Sequence, residues 1–424
     1  MADLKQLDHQ VMWHPFTQMA EWTPTVIASG DGNYLVDTDG NRYLDGVSSL
    51  WCNLHGHRHP RLDRALRDQL DRIAHATFLG LSHEPGIQLG AALVEVAPPG
   101  LTRVFYSDSG STAVEIALKQ SFQYWQVRGQ PSKQRFLRVG EAYHGDTLGA
   151  VGVGGIELFH RIFGPLLVRS IAIPTPAGTD GAASLRALEQ QLAAHGSEIA
   201  AFVMEPLVQG AAGMLVHPKG FLAAASALCR RYSVHLIVDE VATGFGRTGA
   251  LFACEHEGVS PDFLCLAKGI SGGYLPLAAT LSTEEIYAAF LGRRDELKQF
   301  FHGHTYTANP LACAVGIESL AVLRESSLPN ALVRIPEMTA ALARIAGIAG
   351  VAATRQCGLM GGIELEAQPG RALGAEVCDR ARGHGVMLRP LGDVLVWMPP
   401  LSLQAGELSL LEQATRAAIG EVLR

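Results

Sequence analysis

Apolar runs of strand length recur along the chain, and several stop at a charged residue. Residues 199–204 (IAAFVM), 234–238 (VHLIV) and 263–267 (FLCLA) have the apolar character of strands buried on both faces, and 135–139 (RFLRV) reads as a further strand. Between such runs lie stretches of helical period, 184–194 and 221–231 among them. This alternation predicts an α/β fold, a mostly parallel sheet covered by helices. Upstream, the turn residues Asp39, Gly40 and Asn41 separate short strands at 34–36 and 42–44, a hairpin. Residues 60–96 have a helical pattern in which Leu62, Ala65, Leu66 and Leu70 share a face. A strand at 104–106 runs into the small-residue turn SDSGS and then a helix. A helical pattern from 311 to about 325 leaves the sheet, and strand pieces follow at 361–365, 386–388 and 394–398. The pattern divides the chain into an N-terminal arm and hairpin (1–49), a large domain (50–320) and a smaller C-terminal α/β domain (321–424). The arm and hairpin are expected to pack with the small domain.

Two of the apolar runs end in opposite charges, Asp239 and Lys268, and each is followed by Gly-rich sequence. Both side chains are expected at carboxyl ends of buried strands, where open α/β sheets place their ligands. A buried ion pair would satisfy the same pattern. The chain has six lysines, and the other five (Lys5, Lys119, Lys133, Lys219, Lys298) lie in polar or helical surroundings. Desolvation at a strand end lowers an amine's pKa and makes it a nucleophile and a base. The turn SDSGS ahead of a helix start makes an anion site, although Ser107, Asp108 or Ser109 would serve equally as an N-cap. Tyr143 and His144 follow the 135–139 strand, where an aromatic ring either stacks on a flat ligand or simply packs. The 199–204 strand stops at Glu205-Pro206. His55, His57 and His59 alternate as metal ligands on a strand would, but Gly56 and Pro60 interrupt the strand and no nearby acid or cysteine completes a shell. On sequence alone Trp51 reads as core, and Thr305, with Gly303 and His304, as a polar loop.

Over 424 residues, 48% hydrophobic and 18% charged, the composition is that of a globular enzyme with room for more than one domain. A net charge of −7 without a basic tract argues against nucleic acid or an anionic membrane as partner. The start lacks an apolar signal core, and no run approaches the length of a membrane span. Seven cysteines without a CxxC pair fit reduced thiols, so a soluble cytoplasmic protein is expected.

Taken together, SDSGS, YHGD, EP, DEVATGFGRTG, LAKGISGG and HGHTY resemble the class III aminotransferases, pyridoxal-phosphate enzymes of fold-type I, in order from about residue 12 to 400. Further stretches (WHPFTQM, SSLWCNLHGHRHP, YWQ, LRPLGDVLVWMPP) are similar to the biotin-synthesis branch of that class. The resemblance implies that Lys268 holds the cofactor and moves the proton, and that Asp239 pairs with the ring nitrogen. It implies that Tyr143 and Val241 flank the ring and that Gly110 and Ser111 hold the phosphate. Thr305 and His304 would complete that phosphate site from the neighbouring subunit, which requires a homodimer with shared active sites. Phe16, Trp51 and Gly303 would line the substrate channel, and Arg389 would take the keto acid's carboxylate. Arg247 corresponds to a structural or shared arginine beside the site. The substrates implied are 8-amino-7-oxononanoate and an amino donor, adenosylmethionine or lysine. Ala242 replaces a glutamine of other branches, Phe16 a tyrosine, and HGHT the commoner HGPT. The alternatives are an ω-amino acid transaminase of the same class and a cofactor-binding protein without turnover.

Overall fold

The computed structural model describes residues 3–168 and 170–424. Near the N-terminus, β1 (Ile27–Asp31), β2 (Tyr34–Asp37) and β3 (Arg42–Asp45) form an antiparallel meander. The central sheet contains β4 (Leu101–Ser107), β5 (Arg135–Val139), β6 (Ser170–Ile173) and β7 (Ile199–Met204). A two-stranded hairpin, β8 (Val208–Gln209) and β9 (Leu215–Val216), follows β7. The sheet is completed by β10 (His235–Asp239), β11 (Phe263–Leu266) and β12 (Ala278–Thr283), in the order β4-β12-β11-β10-β7-β5-β6.

Neighbours from β11 to β6 are parallel, and β12 alone runs antiparallel to both β11 and β4. The inner strands β7, β10 and β11 are buried along their length, as a helix-covered parallel sheet requires: Phe202, Val203, Ile237, Val238 and Leu264 have no exposed surface. The reversal at β12 leaves the C-terminal ends of β4, β5, β7, β10 and β11 on one edge. The residues following those ends build the site.

The expected 60–96 helical stretch is two helices, Pro60–Leu70 and Glu84–Val96. The second starts afresh because His83 caps it, its Nδ1 accepting from Gly86 N (3.1 Å), and Pro85 occupies the first turn. The C-terminal region carries β13 (Val351–Cys357), β14 (Met360–Leu365), β15 (Val386–Met387), β16 (Arg389–Leu391) and β17 (Val394–Trp397). Four of these form one sheet, β13-β14-β17-β16, while β15 pairs in parallel with β3. The N-terminal meander is thus a sheet shared with the C-terminal region. Across the expected boundary at 320, Pro310–Val322, a π turn at Leu323–Ser327 and Leu328–Ala346 follow one another as successive helical segments.

Candidate active site

A cavity of about 740 Å³ opens at the C-terminal edge of the central sheet. Its lining includes Trp51, Gly110, Ser111, Tyr143, Glu205, Asp239, Val241 and Lys268. Asp239 and Lys268 meet at the same mouth because β10 and β11 are adjacent parallel strands.

Lys268 follows β11 with φ +45°, a left-handed backbone uncommon for a side chain with a Cβ and typical of functional turns. The side chain is partly buried and lines the cavity. Burial lowers the amine's pKa, against the opposing pull of Asp239 and Glu205. The Nζ lies 4.7 Å from the centre of the Trp51 ring.

Asp239 is 4% exposed. His144 Nδ1 donates to its Oδ2 (2.7 Å), and the Val241 amide donates to Oδ1 (3.0 Å). These bonds fix the carboxylate in one orientation at the cavity wall. Val241 packs close to the helix Gly110–Val127, where a Cβ on Gly110 would come within 2.5 Å of Val241 Cγ1. Only glycine fits there. Ser109 caps the same helix, receiving the Thr112 amide, so the positive end of the helix dipole points at the cavity. Gly145, at φ +110°, lets the YHGD loop close onto Ser111, whose hydroxyl accepts from the Thr147 amide (3.0 Å).

Tyr143 donates its hydroxyl to Asp146 (2.7 Å), and burial together with Asp146 pushes the phenol's pKa up. The Arg389 guanidinium opposes that shift, so Arg389 stands within electrostatic reach of Tyr143, although it does not line the cavity. Phe16 reaches the mouth indirectly, edge-on to Phe159 (5.3 Å), which is edge-on to Tyr143 (6.4 Å). Gly303, His304 and Thr305 do not meet Lys268 within the chain. They line a separate cavity of about 1000 Å³ with Phe78, Phe105 and Phe300.

Arg247 is 1% exposed and donates to Ser48 Oγ (2.9 Å), Asn53 O (3.3 Å) and Pro399 O, fastening the Trp51 segment to the C-terminal region. The three histidines are spent on structure: His55 bonds Ser327 (2.8 Å) and Ser319 (3.0 Å), and His57 bonds Asp45 (3.0 Å). His59 has its edge to the His55 ring. Among the described residues, no group of three His, Cys, Asp or Glu is placed to hold a metal.

A helix start, a carboxylate fixed by two hydrogen bonds and an amine whose pKa burial lowers stand together in one cavity. Over residues 17–419 the sequence matches the family model for aminotransferase class-III. The chain is a class III aminotransferase. It is 52% identical to the adenosylmethionine-8-amino-7-oxononanoate aminotransferase of Nitratidesulfovibrio vulgaris, over 99% of this chain and 82% of that protein. It is 46% identical to the enzyme of the same name from Geobacter sulfurreducens, over 99% and 98%. The crystal structure of the Methanocaldococcus jannaschii enzyme of that name superposes with a TM-score of 0.95 at 41% identity, covering 99% of this chain and 98% of that one. A thermostable ω-transaminase from Thermomicrobium roseum follows the same fold, with a TM-score of 0.93 at 34% identity over 99% and 98%.

The class's cofactor, pyridoxal 5′-phosphate, fits these residues. The cradle that a Cβ on Gly110 would fill, and the orphaned buried Nε2 of His144 behind Asp239, mark a site built around a polar ligand. Two contributors went unrecognised in the sequence: Glu205, and the β8–β9 hairpin that places Gly210 against Trp51. A Cβ on Gly210 would lie 3.2 Å from the indole. The acid ending an apolar strand was the available signal for Glu205, the same signal that marked Asp239.

Proposed function

We propose that this aminotransferase aminates the 7-oxo carbon of 8-amino-7-oxononanoate to give 7,8-diaminononanoate, a step of biotin synthesis. Its support is the near-full-length similarity to enzymes named for that reaction, joined to a cavity in which Lys268 and Asp239 face one ligand space. Bound pyridoxal phosphate supplies an electron sink for the carbon that gains or loses nitrogen.

The chain's own residues do the rest. Lys268, its amine's pKa lowered by burial, takes a proton from the carbon of the donor amine and returns one to the former keto carbon. Asp239, oriented by His144, keeps the ring nitrogen protonated. Gly110 and Ser111 hold the phosphate, Tyr143 and Val241 confine the ring from its two faces, and Trp51 walls off the substrate beside the amine. Arg389 receives the carboxylate of the keto acid. Transfer in two half-reactions passes nitrogen from donor to acceptor without free ammonia.

The functional unit proposed is a homodimer. Its support is the position of Gly303, His304 and Thr305 in a second cavity, beside the exposed apolar side chains of Leu79, Phe301 and Tyr306. There they are free to serve a neighbouring copy's phosphate and substrate sites. We also propose a large domain over 50–320 and a small one over 321–424 that takes in the arm and hairpin, and a cytoplasmic location. The shared β3–β15 pairing supports the first and seven unbridged cysteines the second. No described helix is long and apolar enough to cross a membrane.

The deciding experiment is a coupled assay for diaminononanoate with adenosylmethionine and lysine offered separately. Product with either donor is expected and names the donor. No product from either, with ready transamination of ω-amino acids, would replace this proposal by the ω-transaminase alternative.

A further inference from the structure

Glu205 ends β7, is 5% exposed and lines the cavity, yet no role in the transfer has so far been given to it. Its two oxygens point to two different walls. Oε1 accepts from the backbone amide of Tyr143 (3.2 Å), in the loop after β5. Oε2 accepts from the amide of Gly210 (2.9 Å), in the β8–β9 hairpin that packs on Trp51. The same loop and hairpin are joined a second time, because Gln209 Nε2 donates to Gly140 O (2.7 Å). Gln209 does not line the cavity, whereas Glu205 does. An uncharged amide could not replace Glu205, since its NH₂ would face one of the two backbone donors.

We propose that Glu205 is a positioning residue for the amino transfer, a clamp whose carboxylate sets the spacing of the Tyr143 and Gly210–Trp51 walls around Lys268. This rests on the function proposed above and adds to it a residue that acts through its neighbours. A carboxylate so buried is costly to keep ionised, and its pKa is pushed up to about 7. Burial is the main cause. His144 pulls the other way, Asp239 raises it further, and the two amide bonds lower it. Lys268, after β11 on the far side of β10, also couples to it. Above about pH 7 the carboxylate accepts from both walls. Below it one oxygen carries a proton and accepts more weakly, so one of the two amide bonds is loosened.

The test compares wild-type holoenzyme with Glu205→Gln and, as a control for simple loosening, Gln209→Leu. Amide hydrogen exchange is followed over residues 140–147 and 208–214 alongside the pH profile of kcat/KM. In Glu205→Gln, exchange in at least one segment is expected to rise about tenfold or more. The KM for 8-amino-7-oxononanoate should rise about tenfold with kcat changed less than about threefold, and the acid limb of kcat/KM near pH 7 should vanish. Gln209→Leu should loosen the same segments and keep the limb. Unchanged exchange in both segments, or a pH profile that superimposes on wild type, overturns the clamp. Should Glu205→Gln fail to fold, the wild-type enzyme decides. Exchange at Tyr143 and Gly210, corrected for intrinsic rates, must quicken below pH 7, and its absence overturns the proposal. The exchange measurement needs no turnover, so failure of the transamination proposal and failure of the clamp are separately visible.

Discussion

At the scale of the residue, the chemistry rests on how three side chains are desolvated. Burial lowers the pKa of the Lys268 amine, an imidazole and an amide fix the Asp239 carboxylate in place, and burial with Asp146 raises the pKa of the Tyr143 phenol. Lys268→Ala is therefore expected to abolish turnover and to lose the visible absorbance of the lysine-bound cofactor, as spectrophotometry and the coupled assay will show. Retained activity would remove the basis of the assignment. Arg389→Ala should raise the KM for the keto acid about tenfold or more while leaving the donor's KM within about threefold, since one charged hydrogen-bonding partner is lost. Equal effects on both substrates would mean that the arginine does not read that carboxylate. Lys133 is instructive beside Lys268, because the polar stretch QPSK gives no hint of burial. The structure buries it, 3% exposed, more fully than the half-buried Lys268, so lysine context alone does not single out residue 268.

At the scale of the element, Lys133 is a staple. Its ammonium donates to the carbonyls of Gly196 (2.8 Å), Ile199 (3.0 Å) and Ser233 (2.8 Å), at the starts of β7 and β10, opposite the active-site edge. Lys133→Met leaves those carbonyls without their donor and should destabilise the fold by about 2 kcal/mol in chemical denaturation. Burial lowers the amine's pKa from 10.5 to about 8. Between those values the unfolded chain holds a proton that the folded chain lacks, so stability rises with pH across that window. That rising component should be missing from Lys133→Met. The apolar runs of β7, β10 and β11 announced themselves because each is buried on both faces. β12 did not, since AATLST is made of small and polar residues whose burial depends on being inserted between β4 and β11.

At the scale of the whole molecule, the proposed dimer makes a quantitative prediction. Lys268→Ala and Thr305→Glu subunits should each be inactive as homodimers, the second because a carboxylate would repel the cofactor's phosphate. Coexpressed, they form hybrids in which one of the two sites has Lys268 from one chain and Thr305 from the other, so activity should return to about a quarter of wild type. No recovery in isolated hybrids would place Thr305 in its own chain's site. The sequence by itself determined the α/β class, the strand ends at Asp239 and Lys268, the helix-start cradle at Gly110 and Ser111, and membership of an aminotransferase class. Those are local signals, carried by apolar runs and turn residues a few positions long. Only the tertiary structure decided that His144 braces Asp239, that Glu205 joins two walls, that β15 pairs with β3 and that residues 303–305 stand apart from Lys268. Each depends on contacts between segments tens to hundreds of residues apart, and a local pattern holds no record of which distant backbone donor a buried carboxylate will meet.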